Sequence, residues 1–169
     1  MRAGRDERAW IRGAQAGSAS DLEALFRSYW PSTWRAAFLV VHDAAAAEDI
    51  AQEAFLAAIR NLDRFDRRRP FGPWLHRIVV NRAIDWARSR TLRAELELVD
   101  APAPAASPDV GSDVVEALRT LSPEHRAVIV LRHLLGYTPG EIARLLDLTR
   151  GTVNSRLRRG LDQLQETLR

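Results

Sequence analysis

The stretch Thr149-Arg150-Gly151-Thr152-Val153-Asn154-Ser155-Arg156-Leu157-Arg158-Arg159 decides the reading of the fold. Taken as a helix capped by Thr149, it aligns Val153, Leu157, Leu161, Leu164 and Leu168 in one apolar stripe, at spacings of four, four, three and four. Arg150, Asn154 and Arg158 then fall four residues apart on another face, with Ser155 and Arg159 beside them. Four arginines and no acid lie between Thr149 and Leu161. A polar face carrying only donors and small residues suits a DNA major groove, which is lined with phosphates and base acceptors.

Working back from that helix, Thr138-Pro139-Gly140-Glu141 is a capping box with proline at the first helical position. It opens a short helix through Ile142, Ala143, Leu145 and Leu146, and Asp147-Leu148-Thr149 turns directly into the basic helix. Ser122-Pro123-Glu124 starts another helix, through Ala127, Val128, Leu131, Leu134 and Leu135, which stops at Gly136. Ser112 opens one more, through Val115, Leu118 and Leu121. Two short helices joined by a tight turn, the second basic and the first backed by another helix, predict a helix-turn-helix over 112–169.

Residues 97–111 break every helical pattern with three prolines and predict a flexible linker. Fifteen extended residues span at most ~50 Å, so the flanking units can sit well apart. Residues 1–96 read as a second helical unit. A short helix runs from Asp6 to Gln15, with Trp10 and Ile11 as anchors, and Ser20 is positioned to cap a longer helix that continues through Pro31. Asp43 caps a helix from Ala44 to Leu62, and Pro73 begins one that ends in Arg88-Ser89-Arg90. The expected fold is all-α: two small helical domains joined by a linker, the C-terminal one a helix-turn-helix.

Two surfaces of the first unit stand out. On the Ala44 helix, Ala47, Ile50, Ala51, Ala54 and Ala58 form the buried face, which leaves Asp49, Gln52, Glu53, Leu56 and Arg60 outward. A leucine among outward charges hints at a partner, although a solvated face with one stray leucine accounts for it equally. The loop from Asp63 to Gly72 is charged and carries Phe65 and Phe71, and the next helix offers Trp74, His76, Arg77, Asn81 and Arg88. Basic residues interleaved with aromatics make a platform for unstacked bases. Core tryptophans and solvated arginines would give the same composition.

Composition narrows the classes. With no cysteine, disulfides and thiolate metal sites are excluded, and four scattered histidines offer no ligand pair, so neither metal nor cofactor is expected. The sequence has no nucleotide-binding glycine loop, paired-carboxylate motif or nucleophile elbow, and no catalytic residue is assigned. The N-terminus is charged and no apolar run approaches the ~20 residues of a membrane span, so a cytoplasmic protein without membrane insertion is expected. Residues 1–95 carry 16 Arg against 12 acids, residues 96–115 no Arg and 4 acids, and residues 116–169 carry 9 Arg against 6 acids. Two basic segments joined by an acidic one suggest two contacts with a polyanion.

Taken together the halves resemble the extracytoplasmic-function (ECF) group of bacterial sigma factors. The likeness lies in Phe26-Arg27-Ser28-Tyr29-Trp30-Pro31, in Ala47 to Phe55, in Pro70 to Asp85, in Leu121 to Arg126, in Glu141-Ile142-Ala143 and in Gly151 to Leu157. The resemblance implies a promoter-specificity subunit that binds core RNA polymerase, recognises promoter DNA and helps melt it. Asp49, Gln52 and Glu53 match the family's D-x-x-Q-E pattern, which docks on core polymerase, and Leu56 shares their face. Phe65, Arg67, Arg68, Phe71, Trp74, Arg77 and Asn81, with Arg82 and Arg88 on the backbone, match positions that hold the melted non-template strand of the minus-ten element. Arg150, Thr152, Asn154, Ser155, Arg156, Arg158 and Arg159 fall on the helix that reads the minus-thirty-five duplex.

Two positions depart from the family. Asn154 stands where a basic residue is common and suits adenine through a bidentate contact. Gly160 lies inside the last helix, where it costs ~1 kcal/mol relative to alanine. With no sensory domain after that helix, control is expected from a separate anti-sigma factor. The alternative reading is a polymerase-independent helix-turn-helix regulator, which leaves the Asp49 to Leu56 surface and the aromatic loop without a purpose.

Overall fold

The computed structural model describes residues 3–97 and 112–169, with side chains over 6–96 and 113–169. The first unit comprises α1 (Ala3–Gln15), α2 (Ala19–Val41), α3 (Ala44–Arg60) and α4 (Phe71–Glu97). The second comprises α5 (Ser112–Arg119), α6 (Pro123–Ile129), α7 (Pro139–Leu146) and α8 (Arg150–Thr167). The linker expected over 97–111 lies outside the described residues, apart from Glu97 at the end of α4.

The helix starts follow their capping chemistry. Asp43 accepts from the Ala46 N–H at 3.0 Å, and Thr149 accepts from the Thr152 N–H at 3.1 Å. Thr138 accepts from the Glu141 N–H at 3.3 Å while the Glu141 carboxylate accepts from the Thr138 N–H at 2.8 Å, so the capping box is complete. One expected start moves: Ser18, not Ser20, caps α2 by accepting from the Asp21 N–H at 3.3 Å. Ser20 falls inside the first turn because Gly17, at φ +91°, reverses the chain one residue before the cap. As expected, α2 continues through Pro31 as a single helix.

α4 is longer than expected at both ends, starting at Phe71 rather than Pro73 and running past Arg88–Arg90 to Glu97. It packs against α2 and α3 on one side and α6 and α7 on the other, so its apolar residues are not confined to one stripe. Leu75, Val79, Val80, Ala83, Ile84 and Ala87 are all buried along it. α6 runs on through wider turns over Val130–Leu134, where the Leu135 N–H reaches back five residues to the Val130 carbonyl at 3.1 Å. It ends at Gly136, φ +75°, with the Tyr137 N–H on the Leu131 carbonyl at 3.0 Å.

Buried side chains of both units form one continuous core. Across the seam, Arg88 meets Glu124 at 2.5 Å and the Tyr137 hydroxyl lies 2.7 Å from His76 Nδ1. The Arg126 guanidinium donates to the Val40 carbonyl at the end of α2, and to the Leu121 carbonyl at 2.8 Å. Burial, with the nearby Arg119 charge adding to it, lowers its pKa to about 10.

Gly160 is not a weak point of α8. The buried line of that helix runs Val153, Leu157, Gly160, half-buried Leu164, while Leu161 and Leu168 of the expected stripe are exposed. A Cβ at Gly160 would stand 2.9 Å from Ile129 Cδ1 and 3.6 Å from His125 Cβ, so glycine lets α8 cross close over α6. Gly160→Ala is expected to stay within about 1 kcal/mol of wild type, because helix propensity offsets a shift of the Ile129 terminus. Gly160→Leu is expected to lose about 2 kcal/mol or more, since no such shift makes room for a branched side chain. Urea denaturation of both variants checks this; equal stability of the two would show that the crossing is loosely packed.

Candidate functional site

α8 presents its polar face to solvent. Arg150, Asn154, Arg158 and Arg159 are exposed, and Thr152, Ser155 and Arg156 are half-buried beside them. Among the described residues, none of the four arginines of α8 has an ion-pair partner. On the exposed side of the helix, Arg150, Arg158 and Arg159 keep their guanidinium donors free for phosphates and base edges. Asp147 makes the tight turn from α7 in the left-handed conformation, φ +54°, with the Leu148 N–H on the Ala143 carbonyl at 2.9 Å. This turn aims the start of α8 outward.

The loop between α3 and α4 is tied to itself. Asp66 accepts from the Arg68 N–H at 3.0 Å and from the Arg68 guanidinium at 3.0 and 3.2 Å, which holds the Asp66 carboxyl below its usual range. Phe65 and Phe71, which the sequence offers as part of a platform for unstacked bases, are buried. Phe65 packs at 4.7 Å from Trp74 and 5.7 Å from Phe71. Trp74 is half-buried, so it is the aromatic of this group that most nearly meets solvent. Arg67 and Arg77 are exposed and Asn81 is half-buried. Arg82 is drawn to Glu53 at 2.5 Å and Arg88 to Glu124, so neither is a free cation in this arrangement.

A groove of about 760 Å³ runs beside this loop, lined by Arg64, Arg69, Trp74 and Arg77 of the first unit and by Tyr137 and Arg144 of the second. Tyr137 and Arg144 escaped sequence reasoning because no local pattern tells which helix of the second unit faces the loop. His76, which the sequence offers beside Arg77 on the same helix, is only 6% exposed, and burial lowers its pKa to about 4.

The outer face of α3 is as read: Asp49, Gln52, Glu53 and Leu56 are all exposed, Leu56 by 51%. Its apolar part is larger than one leucine. Phe26 and Ile59 are 39% and 40% exposed and line an apolar groove with Leu22 and Phe55. Ile59 lies three residues beyond Leu56, a spacing that could have revealed it. Among the described residues no cluster of three potential metal ligands occurs.

An all-α chain with a helix-turn-helix, a basic aromatic loop and a mixed acidic and apolar helix face has the parts of a promoter-specificity subunit. Family models agree: sigma-70 region 2 matches residues 25–93 and sigma-70, region 4 matches residues 112–164. The ECF RNA polymerase sigma factor SigL of Mycobacterium tuberculosis is 34% identical over 94% of each chain. RNA polymerase sigma factor CarQ of Myxococcus xanthus is 32% identical over 90% of this chain and 91% of its own. The solved structure of CnrH in complex with the cytosolic domain of CnrY superposes with a TM-score of 0.73 at 29% identity, covering 96% of this chain and 97% of that one. The chain belongs to the ECF sigma factors of the sigma-70 family.

Proposed function

We propose that this protein is an alternative sigma factor that binds core RNA polymerase, directs it to specific promoters and promotes melting to initiate transcription. The observation that carries the reading is the pairing of two different basic surfaces in one chain. α8 offers unpaired donors on a rigid helix, suited to duplex readout. The first-unit wall of the groove, with Arg64, Trp74 and Arg77, offers an aromatic edge among cations, suited to unpaired bases. The outer face of α3, with Asp49, Gln52, Glu53 and Leu56, is the docking surface for core polymerase. A polymerase-independent regulator needs only the first of these three, and the likeness to SigL and CarQ supports the sigma reading.

On this reading Trp74, Arg77 and Asn81 meet the melted non-template strand of the minus-ten element, with Arg67 and Arg68 at the loop rim. Phe65 and Phe71 act from beneath, as the packed support of Trp74. Arg82 and Arg88 reach the strand only by leaving Glu53 and Glu124. The polymerase supplies the chemistry of RNA synthesis, and this chain acts as a binding subunit and not as an enzyme. No helix among the described residues is long and apolar enough to cross a membrane, which fits work in the cytoplasm beside the polymerase. An anti-sigma factor is the kind of regulator that the complex of CnrH with CnrY suggests.

Selection of promoters from a random library by the reconstituted holoenzyme tests the function directly: no promoter-dependent transcript above core polymerase alone would refute it. In duplex binding to a selected upstream element, Arg158→Ala is expected to weaken all sequences alike and lower the salt slope by about 1. Asn154→Ala is expected to cut discrimination at one base pair by about 1–3 kcal/mol with little change on the altered sequence. Equal losses on every sequence for both variants would refute that division.

A further inference from the structure

Three residues of α1, Glu7, Ile11 and Gln15, stand four apart on one face of the helix and meet the rest of the first unit. Ile11 is fully buried between the other two. The Gln15 amide donates to the Leu62 carbonyl at 2.8 Å and to the Phe65 carbonyl at 3.1 Å, at the start of the loop that precedes α4. At the loop's other end, Glu7 Oε1 accepts from the Phe71 N–H at 3.0 Å, and Glu7 Oε2 accepts from the Tyr29 hydroxyl at 2.5 Å. Glu7 therefore supplies a carboxylate to the first free N–H of α4, where the helix dipole favours a negative charge. The Tyr29 ring in turn lies against the loop end, 3.0 Å from where a Gly72 Cβ would stand, and edge-on to Phe71 at 5.3 Å. One helix face grips the loop at both ends.

We infer that α1 is a positioning element for strand capture, with Glu7 and Gln15 setting the shape of the loop on which Trp74 rests. The inference depends on the reading of that loop as the site for unpaired bases. Residues 25–93 match the family's region 2, so the grip comes from a segment outside the matched region. Its physical basis is preorganisation. A loop held at both ends has already lost the freedom that a single strand would otherwise have to remove on binding. Glu7 and Gln15 touch no DNA in this scheme and act through the Leu62, Phe65 and Phe71 backbone.

The test uses holoenzyme assembled from core polymerase and the full chain. Its probe is a fluorescent single-stranded oligonucleotide carrying the non-template minus-ten segment of a promoter selected by the wild-type holoenzyme. Glu7→Ala and Gln15→Met, the second keeping the packing volume and removing only the donors, are each expected to weaken oligonucleotide binding about tenfold. Glu7→Gln keeps an acceptor for the Phe71 N–H and offers Tyr29 an amide, and should restore most of the affinity. Affinities for core polymerase and for the upstream duplex should stay within about twofold, a split that general loss of stability would not produce. Wild-type binding that survives both Glu7→Ala and Gln15→Met overturns the inference alone, as does a parallel fall in all three affinities. No oligonucleotide binding by the wild type overturns the reading of the loop, and the inference with it.

Discussion

The double substitution Leu56→Glu and Asp49→Arg is expected to lower affinity for core RNA polymerase by a hundredfold or more while leaving the fold intact, on the order of 3 kcal/mol or greater. Asp49, Gln52, Glu53 and Leu56 share one outward stripe of α3, and Leu56 stands 51% exposed with Phe26 and Ile59 close to the same surface. An exposed apolar anchor ringed by polar groups is the arrangement of an interface hot spot. Glutamate at 56 places an unpaired charge where the partner would bury an apolar side chain, and arginine at 49 reverses the local field. Both side chains face solvent in the free protein, so the stability change should stay within about 0.5 kcal/mol. Fluorescence titration with core polymerase measures the effect. Affinity unchanged from wild type would remove this face from the docking surface.

Mild acid is expected to destabilise the protein through its buried histidines. His42 is 4% exposed with neither ring nitrogen hydrogen-bonded, and burial, joined by the charges of Arg126 and Arg119, lowers its pKa to about 3. Burial lowers that of His76 to about 4. The unfolded chain takes up protons at both residues below about pH 6.5, whereas the folded chain does not until far lower. Stability is therefore whole above about pH 6.5 and falls as pH drops toward 4 for His76 and toward 3 for His42. At pH 5 each histidine accounts for a loss of about 2 kcal/mol, an order-of-magnitude figure. His42 has φ +52°, a conformation asparagine tolerates, so His42→Asn removes the titration without forcing the backbone. Urea denaturation at pH 7 and pH 5 should show a smaller acid loss in that variant. An identical loss in wild type and His42→Asn would exclude His42 as a source.

How much could be read beforehand depended on the range of the interaction. Caps are local: Asp43, Ser122, Thr138 and Thr149 each bond within three residues, and each was identified from neighbouring sequence. The polar face of α8 was legible because one side of that helix packs and the other meets water. α4 was harder, since neighbours on two sides remove the single stripe that periodicity detects. Gly160 looked like a flaw because helix propensity knows nothing of α6 crossing above it. The grip of Glu7 and Gln15 on the loop left no trace, because its bonds join residues 47, 50 and 64 positions apart. For the same reason the aromatic loop could be singled out by composition, while the burial of Phe65 and Phe71 beneath Trp74 could not.

The seam at Arg126 bears on how readily the two units part. Its guanidinium closes on uncharged carbonyls, those of Val40 and Leu121, and it does so largely dehydrated, as the fall of its pKa to about 10 reflects. Opening returns that cation to water and strands no buried anion on the other side, so rehydration offsets much of the hydrogen bonding given up. Two DNA elements about 25 base pairs apart are separated by ~85 Å along the duplex axis, beyond what units in contact can touch together. At Arg126 the joint is held by a cation that water helps to release, while the apolar core shared by both units resists the parting.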